Sequence, residues 1–140
     1  MTLSGLNDYR HQVLIARLVT SINNHFNSKK KYNKYIATPE TVVFREETKK
    51  IPDLLIWNFK KGLHNDPEIA IEVCWSKDVE TDIEKLTKLF ETVKTLKEGF
   101  VFDFENIIAY RIFRKKDGSA SRRVKSSKSD WIKLDLLKMK

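Results

Sequence analysis

The run Ile69-Ala70-Ile71-Glu72-Val73-Cys74-Trp75 sets one carboxylate in the middle of an otherwise apolar stretch. Such a stretch reads as a buried strand, and an ionised carboxylate is costly to bury unless it is paired, hydrogen-bonded or bound to a metal. A second apolar run, Leu54-Leu55-Ile56-Trp57, follows Pro52-Asp53, so Asp53 stands in the same position of conflict. Two such acids on neighbouring strands point to one shared reason, most simply a cation.

The spacing agrees. Between Trp57 and Pro67 lie Asn58, Gly62, Asn65 and Asp66, a hairpin-loop composition that pairs the two strands antiparallel. Period-2 alternation puts Ala70, Glu72, Cys74 and Ser76 on one face and Ile69, Ile71, Val73 and Trp75 on the other. Glu72 therefore sits among small residues. Hard divalent ions take carboxylate oxygens and keep several waters, so such a notch suits Mg²⁺ or Mn²⁺.

Pro52-Asp53, a hairpin and then Glu72 in an apolar strand resemble the PD-(D/E)XK nuclease superfamily, the restriction-endonuclease-like fold. The order of a leading helix, a strand, the Pro-Asp strand, the Glu strand, a helix and a further strand resembles it too. The fold implied is an α/β (α+β) domain with a central mixed sheet flanked by helices. The family pattern has a lysine two residues after the acid; here that residue is Cys74. The resemblance then implies a migrated lysine, with Lys77 just past the strand and Lys85 in the next helix as candidates. In the branch that includes viral cap-snatching endonucleases, a histidine on the leading helix binds metal, which brings in His11, with Asp8 three residues before it on the same surface. The plainer reading leaves Asp8 to the helix dipole, His11 to the surface and Lys85 to a helix-surface ion pair.

Leu6 to about Phe26 reads as an amphipathic helix with a stripe of Leu6, Tyr9, Val13, Ala16 and Thr20, widened by Leu14, Leu18 and Ile22. Residues 27–33 form a basic loop in which Lys29, Lys30 and Lys31 suit phosphates and Tyr32 or Tyr35 suits a base. A strand is expected at Thr41–Arg45, followed by a polar turn whose Glu46 or Glu47 is a spare ligand candidate. Residues 77–97 read as the second helix, capped by Asp78 and ended by Gly99, with Val79, Ile83, Leu86, Phe90, Val93 and Leu96 as its core stripe. Strands are expected at Phe100–Phe104 and Ile107–Phe113, the latter offering Tyr110 and Arg111 to a substrate.

The charge is unevenly spread. Residues 114–140 hold ten Lys/Arg and three Asp; residues 1–113 hold the remaining seventeen basic and sixteen acidic residues of a chain with net charge +8. The expected organisation is one nuclease-like domain over 1–113, a mobile basic loop over 114–130, and a short element over 131–140 that docks on the same domain. The loop's Lys115, Lys116, Arg122, Arg123 and Lys125 point to a polyanion, most simply DNA or RNA, against the plainer reading of a solvated segment. One cysteine excludes an internal disulfide, no apolar run approaches the length of a membrane span, and the first residues lack a signal-peptide pattern. These features lead to the expectation of a cytoplasmic, reducing compartment and no membrane partner. Relatives of the fold often dimerise, so a homodimer is a further expectation.

The resemblance implies a divalent-metal-dependent endonuclease. Asp53 and Glu72 would bind the metal, helped by the Cys74 carbonyl and by His11 or Asp8, and Lys85 or Lys77 would stabilise the transition state. The alternative is an inactive restriction-endonuclease-like module that binds nucleic acid or protein; a weaker third is a structural subunit whose loop touches RNA.

Overall fold

The computed structural model describes residues 2–39, 52–61 and 67–138; the side chains of residues 2–8 and of Lys61 lie outside that description. So do the expected strand at Thr41–Arg45, Glu46, Glu47, the loop residues Gly62, Asn65 and Asp66, and the carboxylate of Asp8. The described elements are α1 (Thr2–Ser28), β1 (Tyr35–Pro39), β2 (Leu54–Asn58), β3 (Pro67–Cys74), α2 (Val79–Thr92), β4 (Glu98–Asp103), β5 (Ile108–Phe113) and β6 (Val124–Lys125). The six strands form one mixed sheet in sequence order. Every neighbouring pair is antiparallel except β3 and β4, which run parallel because α2 carries the chain back between them.

All eight residues of β3 are buried, since both faces of the sheet are covered. Ile69, Ile71 and Val73 join the core under α1, with Leu54, Ile56, Phe100 and Phe102. Ala70 and Cys74 join the core under α2, with Leu55, Trp57, Val101 and Ile112. The alternation read from the sequence thus assigns the faces of Ile69 to Cys74 correctly, with Glu72 between Ala70 and Cys74 on the α2 side.

The orientation of α1 differs from the expected stripe. Ile15, Leu18, Ile22 and Phe26 are its buried residues, whereas Tyr9 is 70% exposed and Val13, Ala16 and Thr20 also face outward. The helix carries two overlapping stripes, and the one with the bulkier, wholly apolar side chains removes more surface from water and wins.

The α2 stripe holds, but its ends differ. Asp78 makes no side-chain cap; it closes a 3₁₀ turn at Ser76–Asp78 through its own N–H to Trp75 O, 2.9 Å. The helix stops at Thr92, well before Gly99, which lies inside β4. Arg114 closes the C-terminal end instead, donating to Phe90 O (2.9 Å), Val93 O (3.0 Å) and Leu96 O (2.9 Å). Those carbonyls lack intrahelical partners, and a cation there also suits the helix dipole. Gly99 serves packing: a Cβ at its position would lie 3.3 Å from Leu86 Cδ1 and 3.4 Å from Phe90 Cε1. Its hydrogen side lets α2 approach the sheet.

Residues 114–130 are tethered at both ends and hold defined structure. A turn at Lys115–Ser119, with Gly118 at φ +92°, leads to β6 on the free edge of β5. The chain then folds under α1, where Ile132, Leu134 and Leu136 are buried. A latch fixes this return: Glu98, buried on β4, accepts from Arg111 Nε (2.7 Å), Asp130 N–H (2.8 Å) and Ser129 Oγ. Arg111 is therefore occupied in a structural ion pair rather than offered to a substrate. Tyr32 and Tyr35 are buried as well, which removes them as stacking platforms.

Candidate active site

Asp53 immediately precedes β2, and Glu72 lies in β3. Leu54 pairs with Ile71, and continuing that register sets Asp53 beside Glu72 and Pro52 opposite Val73. Proline has no N–H to donate, so the Val73 carbonyl loses its ladder partner. Asp53 supplies the other half of the exchange: its Oδ2 accepts the Val73 N–H at 2.8 Å. The Asp53 N–H in turn donates to Glu72 Oε1, 3.3 Å. The Pro-Asp pair thus ends the ladder and leaves one carbonyl and two carboxylates together.

His11 fills part of this opening from α1. Its Nε2 lies 2.6 Å from Val73 O and 3.1 Å from Asp53 Oδ2. A carbonyl only accepts, so Nε2 carries the proton and donates to both. The hydrogen bond to Asp53 raises the His11 pKa above its ordinary value against the opposing effect of burial. Burial pushes the Asp53 pKa up, but the bonds from His11 and Val73 outweigh it and hold the carboxyl below its usual range.

Glu72 behaves in the opposite way. Burial, then the charge of Asp53, push its pKa from 4.5 to about 8, although Lys85 pulls it down. Lys85 reaches across from α2 to place Nζ 2.8 Å from Glu72 Oε2. That contact satisfies the distance of an ion pair but not the angles of a hydrogen bond, and Oε2 has no other partner among the described residues. Burial lowers the Lys85 pKa, and Glu72 more than offsets this. The opposing tendencies of the two partners are reconciled by pH: the gain at Lys85 belongs to the range above about 8, where Glu72 is charged.

Three features escaped the sequence reading. The carbonyl released from the ladder is that of Val73, which accepts from His11, and not that of Cys74, whose carbonyl accepts the Phe104 N–H at 3.3 Å on the β4 side. Successive carbonyls along a strand point to opposite neighbours, and side-chain alternation does not say which goes where. Asp82 is a third carboxylate facing the cluster; burial and the charge of Asp53 raise its pKa while Lys85 opposes them. Its position three residues before Lys85 on one helix was the available signal. The His11 contact with Val73 is the third.

The remaining candidates separate. Lys77 is exposed on the 3₁₀ turn and makes no ion pair with described residues. The buried Cys74 thiol is pushed well above the usual thiol range by burial, then by Asp82, Asp103 and Asp78, so it is no nucleophile. Lys29, Lys30 and Lys31 are exposed beside α1, and Lys115, Lys116, Arg122, Arg123 and Lys125 are exposed around β6. Arg123 is engaged with Glu80 at 2.6 Å.

The oxygens present suit a hard cation in kind: two carboxylates and a strand-end carbonyl, the carbonyl engaged by His11 at 2.6 Å and Glu72 Oε2 by Lys85 at 2.8 Å. Among the described residues, no group of three or more His, Cys, Asp or Glu side chains is arranged to hold a metal. Mg²⁺ is commonly bound through one or two carboxylates with water and phosphate completing its shell, so a small protein share is compatible with it. No helix among the described residues is long and apolar enough to cross a membrane. Compared with known proteins, the chain matches no family model and no curated protein.

Proposed function

We propose that this chain is a divalent-metal-dependent nuclease with a restriction-endonuclease-like core, cutting phosphodiester bonds in nucleic acid. One observation carries the reading: Asp53 and the buried Glu72 converge at a broken strand ladder while Lys85 extends from the next helix to Glu72 Oε2 at 2.8 Å. What supports the reading is that two acids, a carbonyl released from the ladder and a long cation from another element meet at one point. The topology supports the same reading through its antiparallel β1-β2-β3 meander, the α2 crossover and a parallel β4.

Asp53 and Glu72 would hold Mg²⁺ or Mn²⁺, and the Val73 carbonyl would join them only where His11 gives it up. Such an ion, when bound, makes a hydroxide-like water available near neutral pH and draws charge from phosphoryl oxygens. The chain's own groups do the rest. Lys85 stays positive across the neutral range and stands beside Glu72, where it stabilises negative charge developing on a phosphate. His11 fixes Asp53 through Nε2–H; ligating a metal itself would require that nitrogen to give up its proton. The exposed lysines and arginines hold the phosphate backbone without reading bases.

The inactive-module reading draws on the same site: His11 and Lys85 already neutralise the two acids, and Cys74 stands where the family pattern has its lysine. Cleavage of labelled DNA and RNA, single- and double-stranded, with Mn²⁺, Mg²⁺ or EDTA decides between them. Metal-dependent cutting by wild type that is lost in Asp53→Ala and Lys85→Ala supports the nuclease; binding without cutting by wild type supports the module.

A further inference from the structure

Beside His11, the outward face of α1 and the end of β4 enclose a groove of about 330 Å³ lined by Tyr9, Arg10, Val13, Leu14, Arg17 and Phe104. We propose that this groove is a subsite for single-stranded nucleic acid, seating an unpaired base next to the reacting phosphate. The inference rests on the nuclease reading for the meaning of that position.

Four observations favour this occupant. The groove is aromatic at both walls: Tyr9 is 70% exposed, and Phe104 packs edge-on against Trp75 with ring centroids 4.6 Å apart. A Tyr so exposed buries little, whereas a nucleobase has two flat faces for it to stack on. Its cations are free of the described acids. Arg10 lies over the Trp75 ring at 5.4 Å, and neither Arg10 nor Arg17 makes an ion pair with a described carboxylate. Glu105, next to Phe104, is turned to the Ser76 N–H at 2.8 Å. The size falls in the range of small-ligand sites.

Position makes the fourth point. Arg10 directly precedes His11, and Trp75, under Arg10, follows Val73 by two residues, so the groove is built on the same two segments that carry His11 and Val73. It also continues along α1 into a second shallow groove that shares Val13 and Arg17 and reaches Ser21. From Arg10 to Ser21 the helix rises by about 16 Å, which gives a strand a track with aromatic and basic contacts. A duplex keeps its bases stacked on one another and cannot present them to Tyr9, so a stacking site of this kind selects unpaired strands.

The test reads binding without cutting. Fluorescein-labelled 12-mers of oligothymidylate, oligouridylate and a DNA duplex are titrated with the full chain in EDTA, and anisotropy is followed as salt is varied. Single strands are expected to bind at least tenfold more tightly than duplex. Tyr9→Ala is expected to weaken single-strand binding about tenfold, and Arg17→Ala to weaken it and flatten the salt slope by about one. Both side chains are exposed, so melting temperatures should stay at wild type and certify the fold. Equal affinity for strand and duplex, or unchanged binding by both variants, overturns the proposal. So does a dimer that Tyr9→Ala dissociates while oligonucleotide binding is untouched, which would assign this face to a second copy. Duplex cutting in Mn²⁺ that Tyr9→Ala leaves unaffected would sink the subsite and keep the nuclease. Single-strand binding lost in Tyr9→Ala, with no cutting by wild type, would do the reverse.

Discussion

Lys85 Nζ lies 2.8 Å from Glu72 Oε2, although the two residues belong to different elements and Glu72 is 1% exposed. On the proposed reading, Lys85 from the following helix takes the role that Cys74 cannot fill in the strand. On the proposed chemistry, Lys85→Met should lower kcat/KM for a labelled oligonucleotide in Mn²⁺ by about 100-fold or more, the scale for losing one stabilising donor. Lys77→Ala should stay within about twofold, since Lys77 is exposed and unpaired among described residues. A larger effect at Lys77 would reassign the role.

Glu72 makes stability depend on pH. Its folded pKa of about 8 is above the ordinary 4.5. Its contribution is therefore full below about pH 4.5 and lost as pH climbs to about 8. Every tenfold gain in proton affinity on folding is worth about 1.4 kcal/mol, so the loss amounts to a few kcal/mol, reduced by whatever relaxation admits water. Glu72→Gln removes the titration. Without metal, its melting temperature should exceed that of wild type, by a margin that widens from pH 5 to pH 8. A constant difference across that range would show that Glu72 is not the titrating group.

Metal binding should reverse this cost. Excess Mn²⁺ is expected to raise the melting temperature of wild type by more at pH 8 than at pH 6, because Glu72 must release its proton to ligate. At about 100 times Kd the gain is about 2.7 kcal/mol. Asp53→Ala and Glu72→Ala should show no gain, and calorimetry in buffers of different ionisation enthalpy should register proton release for wild type. Stabilisation that persists in both variants would place the metal elsewhere.

The α2 terminus gives a test of fold alone. Arg114→Ala strips partners from the carbonyls of Phe90, Val93 and Leu96, which should cost about 2 kcal/mol in urea denaturation. Arg114→Lys should recover only part, since an ammonium cannot spread its donors over three carbonyls. A Gly99→Val change should cost about 1–3 kcal/mol by driving a branched side chain into Leu86 and Phe90.

The sheet faces, the hairpin and the pairing of Asp53 with Glu72 were legible because period-2 alternation makes a charge in an apolar strand conspicuous. The orientation of α1 was not: its two stripes overlap, and only the sheet beneath it chooses Ile15, Leu18, Ile22 and Phe26 over Tyr9 and Val13. Lys85 was legible as a candidate, yet its rank over Lys77 depends on where α2 starts, which a 3₁₀ turn shifted. Val73 carried no side-chain signal at all; its importance comes from a carbonyl that Pro52 cannot satisfy. Gly99 was read as punctuation, whereas its role is the close approach of two layers.

The Glu98 latch has a consequence for how the chain matures. Everything that Ile132, Leu134 and Leu136 pack against precedes them in the chain, so during synthesis the α2 side of the sheet can close once Phe113 has emerged. The α1 side must wait for about twenty-five more residues. Until then the cluster on the α1 side lacks three of its buried members, and a nascent chain paused in the basic segment is a half-finished sandwich with one sticky face. Chaperone dependence, and the outcome of truncation near Lys128, should follow from that order of closure rather than from the site.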